Sequence, residues 1–453
     1  MKKFCFAAVA IYCILIISCA STFNGEPYYD DNIGDFAETS LSNGIPVVFK
    51  KNSNSKICAF RMLFDGGVAL YPENKSGLDA VTFDLMLHGS KKYPYSKMQQ
   101  MGYQKTFSVS SSSGKDYSVA SFNCIQRDFD EVLDLFADSI MNPLLQESDF
   151  KQIMTDNASA IQRRLSDPSS VLGLEISKAI YSGHPYKTSA AVNEKSLNSI
   201  SLADVKKNHE VLLDSSRIKF VVVGNIDKTE RERIISLLES YFGSIAHGGY
   251  SKPDVPVVSA AKGANYGSCE QAGETGYVAG IFNIPNRDDD EYFAFALASM
   301  YLDDILFSEV REKNSAVYSI GTGVVGGKNL LGVLSVYKAT EQENLKNMIQ
   351  NAIKQFPSDK EVERKLSEYK NKYITSIFES SQNASGIAAN IITSLEYYGA
   401  ATQYLHRSAR VQAVQWQNVV SAYKKYLQPI ATEDCACWVV VSGCDSAKKF
   451  KFD

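Results

Sequence analysis

The chain has no excess of basic charge: 47 Lys and Arg stand against 51 Asp and Glu, a formal net charge of −4 over 453 residues. Without surplus cations to neutralise phosphates, nucleic-acid binding is not expected. Residues 4–17 are almost purely apolar, but they fall short of the ~20 residues that a transmembrane helix needs. There is no Ser-His-Asp arrangement, Walker-type loop or G-x-G-x-x-G, so serine-hydrolase, nucleotide and dinucleotide chemistry lack support. Cys435-Ala-Cys437 has neither a second C-x-x-C nor a His pair beside it, which argues against a zinc ribbon. What is present is ordinary globular composition: 45% apolar, 11% aromatic and 22% charged. That excludes wholesale disorder and collagen-like or coiled-coil architectures. At ~100–200 residues per domain the length suits two or three domains, each able to bury a core.

Lys2 and Lys3 precede the apolar run, as in a secretory signal. The run ends Leu15-Ile-Ile-Ser-Cys19, which resembles a bacterial lipobox. The expectation is a lipoprotein signal at 1–19, with Cys19 as the lipid-bearing mature N-terminus; the alternative is a plain signal with an incidental Cys. Residues 20–40 hold five acids and no Lys or Arg and read as a solvated tether. The protein is thus expected to be exported and lipid-anchored to a bacterial membrane, facing the periplasm. A disulfide involving Cys444 is open in an exported protein. The favoured reading makes Cys435, Cys437 and Cys444 small buried hydrophobes around a terminal strand.

Strands are expected at 44–50, 57–64, 117–124 and 218–223, and amphipathic helices at 77–87, 128–141, 147–164 and 229–242. The second half repeats the grammar, with strands at 276–284, 331–337 and 437–442. Helices are expected there at 289–310, 341–356, 360–395 and 411–426. Residues 116–140 and 329–353 match element for element: strand, polar turn, amphipathic helix. Glycine and proline between 246 and 265 mark a linker. The fold class is therefore α+β, with similar domains at 41–245 and 266–453.

Ordered segments now carry a resemblance: Leu41–Phe49, Asp65-Gly-Gly, Gly77-Leu78, Leu85–Ser90, Asp167-Pro168, Tyr181–Tyr186, Ser199–Val205, Val223–Ile226 and Leu306–Ser319. In order and spacing the chain resembles the pitrilysin-type zinc metallopeptidases, which include the mitochondrial processing peptidase and insulin-degrading enzyme. The resemblance implies two metallopeptidase-like domains, each a mostly antiparallel sheet packed with helices, forming half of a clamshell. It also implies an H-x-x-E-H helix after Gly77-Leu78, with two His ligands, a Glu base and a further Glu ligand downstream. Those positions hold Ala80 and Asp84 for the His pair, Phe83 for the base and Ala160 for the third ligand. One carboxylate cannot hold zinc and Phe83 cannot polarise a water, so neither zinc nor peptidase activity is expected of this chain alone. Asp84 and His88, at i and i+4, are two ligands without a third. His184 is expected to be structural, and His209, His247 and His406 to be isolated and exposed.

The resemblance also implies a substrate-holding Arg-Tyr pair, here Arg311 and Tyr318, able to donate hydrogen bonds to a peptide carbonyl. The alternative is that Arg311 pairs with Glu309 or Glu312 on a solvated helix end. A chain with the zinc motif gone and the Arg-Tyr pair kept resembles the non-catalytic, substrate-holding subunit of a heterodimeric zinc peptidase. Its expected partners are a homologous subunit with an intact zinc motif, peptide substrates, and the membrane through its lipid. Zinc is expected in the partner, with no cofactor in this chain. The other readings are a stand-alone peptide-binding or interaction lipoprotein, and a hydrolase with an unrecognised site.

Overall fold

The computed structural model describes residues 35–260, 262–431, 436–443 and 446–452. Cys19, the signal segment, residues 20–34, Cys435 and Cys444 lie outside the described residues. Part of the expected tether is a strand: Phe36–Ser40 forms β1. The Asn43-Gly44 turn explains this. Gly44 sits at φ 87° and the Leu41 N–H donates to Ile45 O at 2.9 Å. The chain folds back, and β1 pairs antiparallel with β2 (Pro46–Lys51).

The first half continues with β3 (Ile57–Asp65), α1 (Leu78–Met86), α2 (Tyr95–Lys105), β4 (Ser108–Ser113) and β5 (Tyr117–Ile125). Then come α3 (Phe129–Met141), α4 (Glu147–Ser166), α5 (Pro168–Ile180), α6 (Glu194–Leu197), α7 (Leu202–Leu212), β6 (Ile218–Gly224) and α8 (Lys228–Phe242). The second half holds β7 (Gly263–Ser268), β8 (Gly276–Asn283), α9 (Glu291–Leu306), β9 (Ser319–Gly326), β10 (Leu330–Ala339) and α10 (Leu345–Lys354). It closes with α11 (Asp359–Glu379), α12 (Ala384–Tyr398), α13 (Arg407–Ala413), α14 (Trp416–Ala422) and β11 (Cys437–Ser442).

The two sheets repeat one topology. Strand order is β1-β2-β6-β3-β5-β4 in the first and β7-β11-β8-β10-β9 in the second. Set β1 aside and each has one parallel pair, β2/β6 or β7/β11, with every other pairing antiparallel. The strand–turn–helix repeat expected at 116–140 and 329–353 is β5–α3 and β10–α10.

Both faces of each sheet are buried. Along β3, Cys58, Phe60, Met62 and Phe64 face one core, while Ala59 and Leu63 face another. The strand's period of two separates them. The first face is covered locally, by α1, α3 and α8. The second is covered by α12 from the other half, through Ile387, Ala388, Ile391 and Ile392. The exchange is reciprocal: Val171, Leu172 and Ile180 of α5 pack on Cys437, Val439 and Val441 of β11. Residues 246–262 therefore separate two sheets rather than two independent packing units.

Polar groups fasten this exchange. Lys219 Nζ reaches both Asp65 carboxylate oxygens at 2.6 Å and Glu396 Oε1 at 2.9 Å, and Lys252 takes Glu396 Oε2 at 2.5 Å. The Glu396 side chain is 1% exposed. Burial pushes its carboxyl up, but Lys219 and Lys252 outweigh that and hold it below the ordinary carboxylate range. Asp65 is left above that range by burial and by Glu396. On the other side, the buried Asp116 accepts from Tyr186, from Lys328 N at 2.7 Å and from Tyr397 at 3.3 Å. Gly327 is required there, because a Cβ would lie 2.2 Å from Asp116 Oδ2.

The long helix expected over 360–395 is two helices. Ser380-Ser-Gln-Asn383 interrupts it, and the Asn383 side chain accepts from Gly386 N at 2.9 Å as the N-cap of α12. Asn and Ser compete with helical backbone bonds and favour caps, so the break falls where they cluster. The helix expected over 411–426 is likewise broken, between α13 and α14.

Candidate functional site

Two regions carry the residues singled out from the sequence, one on each sheet. The first is α1. Gly77 precedes it at φ 79°, and a Cβ there would lie 2.3 Å from Val192 N. One side of the helix is held by a buried polar cluster. Asp79 accepts from Tyr71 Oη, from Ser118 Oγ at 2.9 Å and from Asn208 Nδ2 at 3.0 Å. Asn208 also donates to Thr82 Oγ1 at 3.0 Å. Burial, with Asp79 adding to it, pushes the Tyr71 phenol well up, so it stays a donor. Only Gly77-Leu78 and the flanking spacing were legible here; the signal for this cluster was an Asp within an apolar helix.

A second side of α1 faces the sheet. Phe83 is 0% exposed and lies 5.1 Å from the Phe64 ring. The position that the resemblance aligns with a general base is thus a core position. Ala80 is half-buried and Asp84 exposed on the remaining side. Surrounding protein raises the Asp84 carboxyl while His88 pulls it down. The solvent area and this desolvation point in different directions; the area governs access and leaves Asp84 reachable. His88 stacks on Tyr95 at 4.2 Å. Ala160 is half-buried, and its chain neighbour Ile161 packs with Val81 and Leu85.

These residues do not fit a zinc ion. Ala80, Phe83 and Ala160 have no ligating atom, leaving the Asp84 carboxylate where a stable site takes three or four protein ligands. Among the described residues no group of three or more His, Cys, Asp or Glu could hold a metal. The remaining histidines do other work. His184 Nδ1 accepts from Tyr186 N at 3.0 Å, a structural role. His209 was expected to be exposed, yet it is half-buried with Nε2 2.8 Å from Ile140 O.

The second region is the junction of α9 with β9. The helix runs on through a wider π-helical turn, Phe307–Glu312, where Lys313 N donates to Ser308 O at 3.0 Å. Ser315, at φ 50°, reverses the chain, and Tyr318 N donates to Tyr337 O at 3.1 Å. Arg311 and Tyr318 are thereby brought together. The guanidinium carbon lies 5.6 Å from the Tyr318 ring centroid and 4.9 Å from that of Phe307. Lys338, at a bulge in β10, stands 5.6 Å from the Tyr318 ring on its own account.

Arg311 does not pair with Glu309, which takes Lys313 at 2.5 Å. It makes no ion pair or side-chain hydrogen bond among the described residues, and Tyr318 is 66% exposed. A planar fork of N–H donors thus stands beside an open phenol, held by ring contacts that leave the donors free. Phe307 and Lys338 were not singled out from sequence. Phe307 lay within the matching string, one helical turn before Arg311.

Each region flanks a sheet edge. Helix α1 packs beside β4 and α9 beside β9, the last strands of their sheets. The fold and its vacated positions define a peptidase-type α+β pair of domains without the metal ligands of that class. The family model for Insulinase (Peptidase family M16) matches residues 46–193, and that for the Peptidase M16 inactive domain matches residues 199–367. The chain belongs to this M16, pitrilysin-type family.

The structure resembles a Pseudomonas fluorescens peptidase M16 inactive domain, with TM-score 0.78, 18% identity, and coverage of 92% of this chain and 100% of that one. A Helicobacter pylori protease matches with TM-score 0.77 at 16% identity, over 90% and 99% of the two chains. The periplasmic protease PqqL of Escherichia coli matches with TM-score 0.73 at 16% identity, over 90% of this chain but 46% of PqqL. At such identities the likeness is one of fold. A curated relative, the non-peptidase homolog YmxG of Helicobacter pylori, is 19% identical over 187 residues, 41% of this chain and 43% of the relative. The matched region thus spans less than half of that relative.

Proposed function

We propose that this chain is the non-catalytic, substrate-holding subunit of a two-chain M16 peptidase, anchored by a lipid on Cys19 and facing the periplasm. The observation that carries the reading is the asymmetry between the two regions. Phe83 is absorbed into the core where a base would stand, whereas Arg311 and Tyr318 are assembled, exposed and uncommitted. A guanidinium with its donors free beside an exposed phenol suits a ligand that accepts hydrogen bonds.

The chemistry follows from the geometry. A peptide laid against a free sheet edge gains main-chain hydrogen bonds. Arg311 N–H groups and the Tyr318 hydroxyl then donate to one of its carbonyl oxygens, fixing its orientation and favouring negative charge there. The partner subunit would contribute the metal and the base. That this chain matches 46% of PqqL supports the pairing, since a second chain of similar length would make up the remainder of such a protease. PqqL is described as periplasmic, which supports the compartment. A stand-alone peptide-binding lipoprotein is the second reading, favoured by the non-peptidase description of the curated relative.

The test is to purify the full-length chain from its own cells, identify what accompanies it, and assay the assembly for zinc and peptide cleavage. A zinc-bearing homologue that cleaves peptides only with this chain present is the expected result. A metal-free, inert protein without a homologue would favour the stand-alone reading.

A further inference from the structure

A cavity of about 820 Å³ opens where the two halves meet. Its walls are the end of β4 with the turn into β5, one side of α4 and α5, the chain at 186–195, and the Gly326-Gly327 turn. It contains none of the residues discussed as catalytic or substrate-holding. Ile161, Leu165, Leu174 and Tyr117 give it an apolar side.

Its charges are unevenly satisfied. Five basic and two acidic residues line it, in a chain whose net charge is −4. Glu73 is taken by Lys187 and Lys195, and Lys178 is taken by Glu175. Glu194 is exposed at the start of α6. That leaves Lys115 and Arg164, neither of which forms an ion pair among the described residues.

The position of Lys115 is built. Val68 N donates to Gly114 O at 3.1 Å and Gly66 N to Asp116 O at 2.9 Å, fixing the turn. A Cβ on Gly67 would lie 2.5 Å from Lys115 O, so the close approach needs that glycine. The neighbouring Asp116 carboxylate is engaged by Tyr186, Tyr397 and Lys328 N. The Lys115 ammonium is instead held over the Tyr181 ring at 4.0 Å and that of Tyr186 at 5.1 Å. Arg164, half-buried, donates only to Val192 O.

We propose that this cavity is a carboxylate-binding subsite for an acidic peptide, with Lys115 as its anchoring cation and Arg164 as the second. A half-buried ammonium with no counter-ion attracts a carboxylate more strongly than a solvated one does. Burial also lowers the Lys115 ammonium to about 8 against the pull of Asp116, a cost that a bound carboxylate would relieve. The inference rests on the peptide-holding reading, because β4, whose Ser112 and Ser113 line the cavity, is a sheet edge on which an extended peptide can pair. The carboxylate is either an acidic side chain or a chain terminus.

The test uses the detergent-solubilised full-length chain and four decapeptides of Val, Ala and Thr, each labelled at its N-terminus with an uncharged BODIPY dye. They end in two glutamates or two glutamines, each with a free or an amidated C-terminus, and binding is read by anisotropy. At least tenfold tighter binding of a carboxylate-bearing peptide over the fully neutral one is expected. The difference should vanish in Lys115→Met and return in Lys115→Arg. Dependence on the glutamates marks a side-chain ligand, and dependence on the free terminus marks a chain end; either supports the subsite. Equal binding of all four peptides overturns it while leaving peptide holding intact, as does a difference that survives in Lys115→Met. Binding of none overturns both. The four-peptide comparison on the unaltered chain needs no variant, so a folding defect cannot mask the result.

Discussion

Helix α1 and the α9–β9 junction occupy corresponding places in the two sheets, and their side chains are engaged in opposite ways. Where the resemblance places metal chemistry, on α1 and α4, the side chains are packing or plain surface: Phe83 sits in the core and Ala80 and Ala160 are half-buried. At the α9–β9 junction nothing has been absorbed. Arg311 and Tyr318 stay open, and Phe307 and Lys338 gather on them. Phe83 adds to the buried apolar area that stabilises the fold. The contrast separates fold from function within one chain.

The comparison breaks most severely at Phe83. Phe83→Glu restores the side chain type of the family's base but removes a ring from the core and buries an unpaired carboxylate. A loss of at least ~4 kcal/mol is expected in urea denaturation, with no gain of activity. If the variant were as stable as the parent, the claim that this position now serves packing would fall. Next is the exchanged helix. Ile391→Ala in α12 should cost ~2–5 kcal/mol. Because α12 covers the first half's sheet, circular dichroism and near-ultraviolet signals should melt in one transition. Two separate transitions would mean that the halves are independent after all.

A smaller effect is expected at Asp303, in α9. Burial raises its carboxyl from 3.8 to about 6, although Thr322 N donates to it at 2.6 Å. Between those values the folded chain keeps a proton that the unfolded chain has lost, so stability falls as pH rises from about 4 to 6 and is level above. Discounted for partial exposure, the penalty is on the order of 1 kcal/mol. Asp303→Asn should flatten that slope in melts at pH 4, 5, 6 and 7. Smallest of all, Arg311→Ala should leave stability within ~0.5 kcal/mol, because an exposed side chain without ion pairs supports little. A cooperative loss of stability would recast Arg311 as structural.

Much of this was legible in the residues. The amphipathic period found α3, α8 and α10, and the strand–turn–helix repeat at 116–140 and 329–353 foretold that the sheets would match. What escaped has physical reasons. Strands β4, Ser-Val-Ser-Ser-Ser-Ser, and β9, rich in glycine, lie at sheet edges and lack the apolar alternation by which strands are read. The break at Asn383 was hidden because Ile377, Ala384 and Ile387 keep a helical spacing across the polar run at 379–383. Helix α5 was not read from the sequence at all, and for α12, inside the stretch expected over 360–395, periodicity carries no information on which sheet covers it. At the candidate site, the resemblance pointed to Arg311 and Tyr318. That Arg311 stands free of Glu309 depends on the π-helical turn and the Glu309–Lys313 pair, which side-chain spacing does not settle.

The most direct measurement is peptide turnover by the assembly purified with this chain, compared with the same assembly carrying Arg311→Ala and Tyr318→Phe. Turnover should fall at least tenfold, while co-purification and the melting curve stay unchanged. Undiminished turnover with the assembly intact would contradict the account and remove both residues from its function.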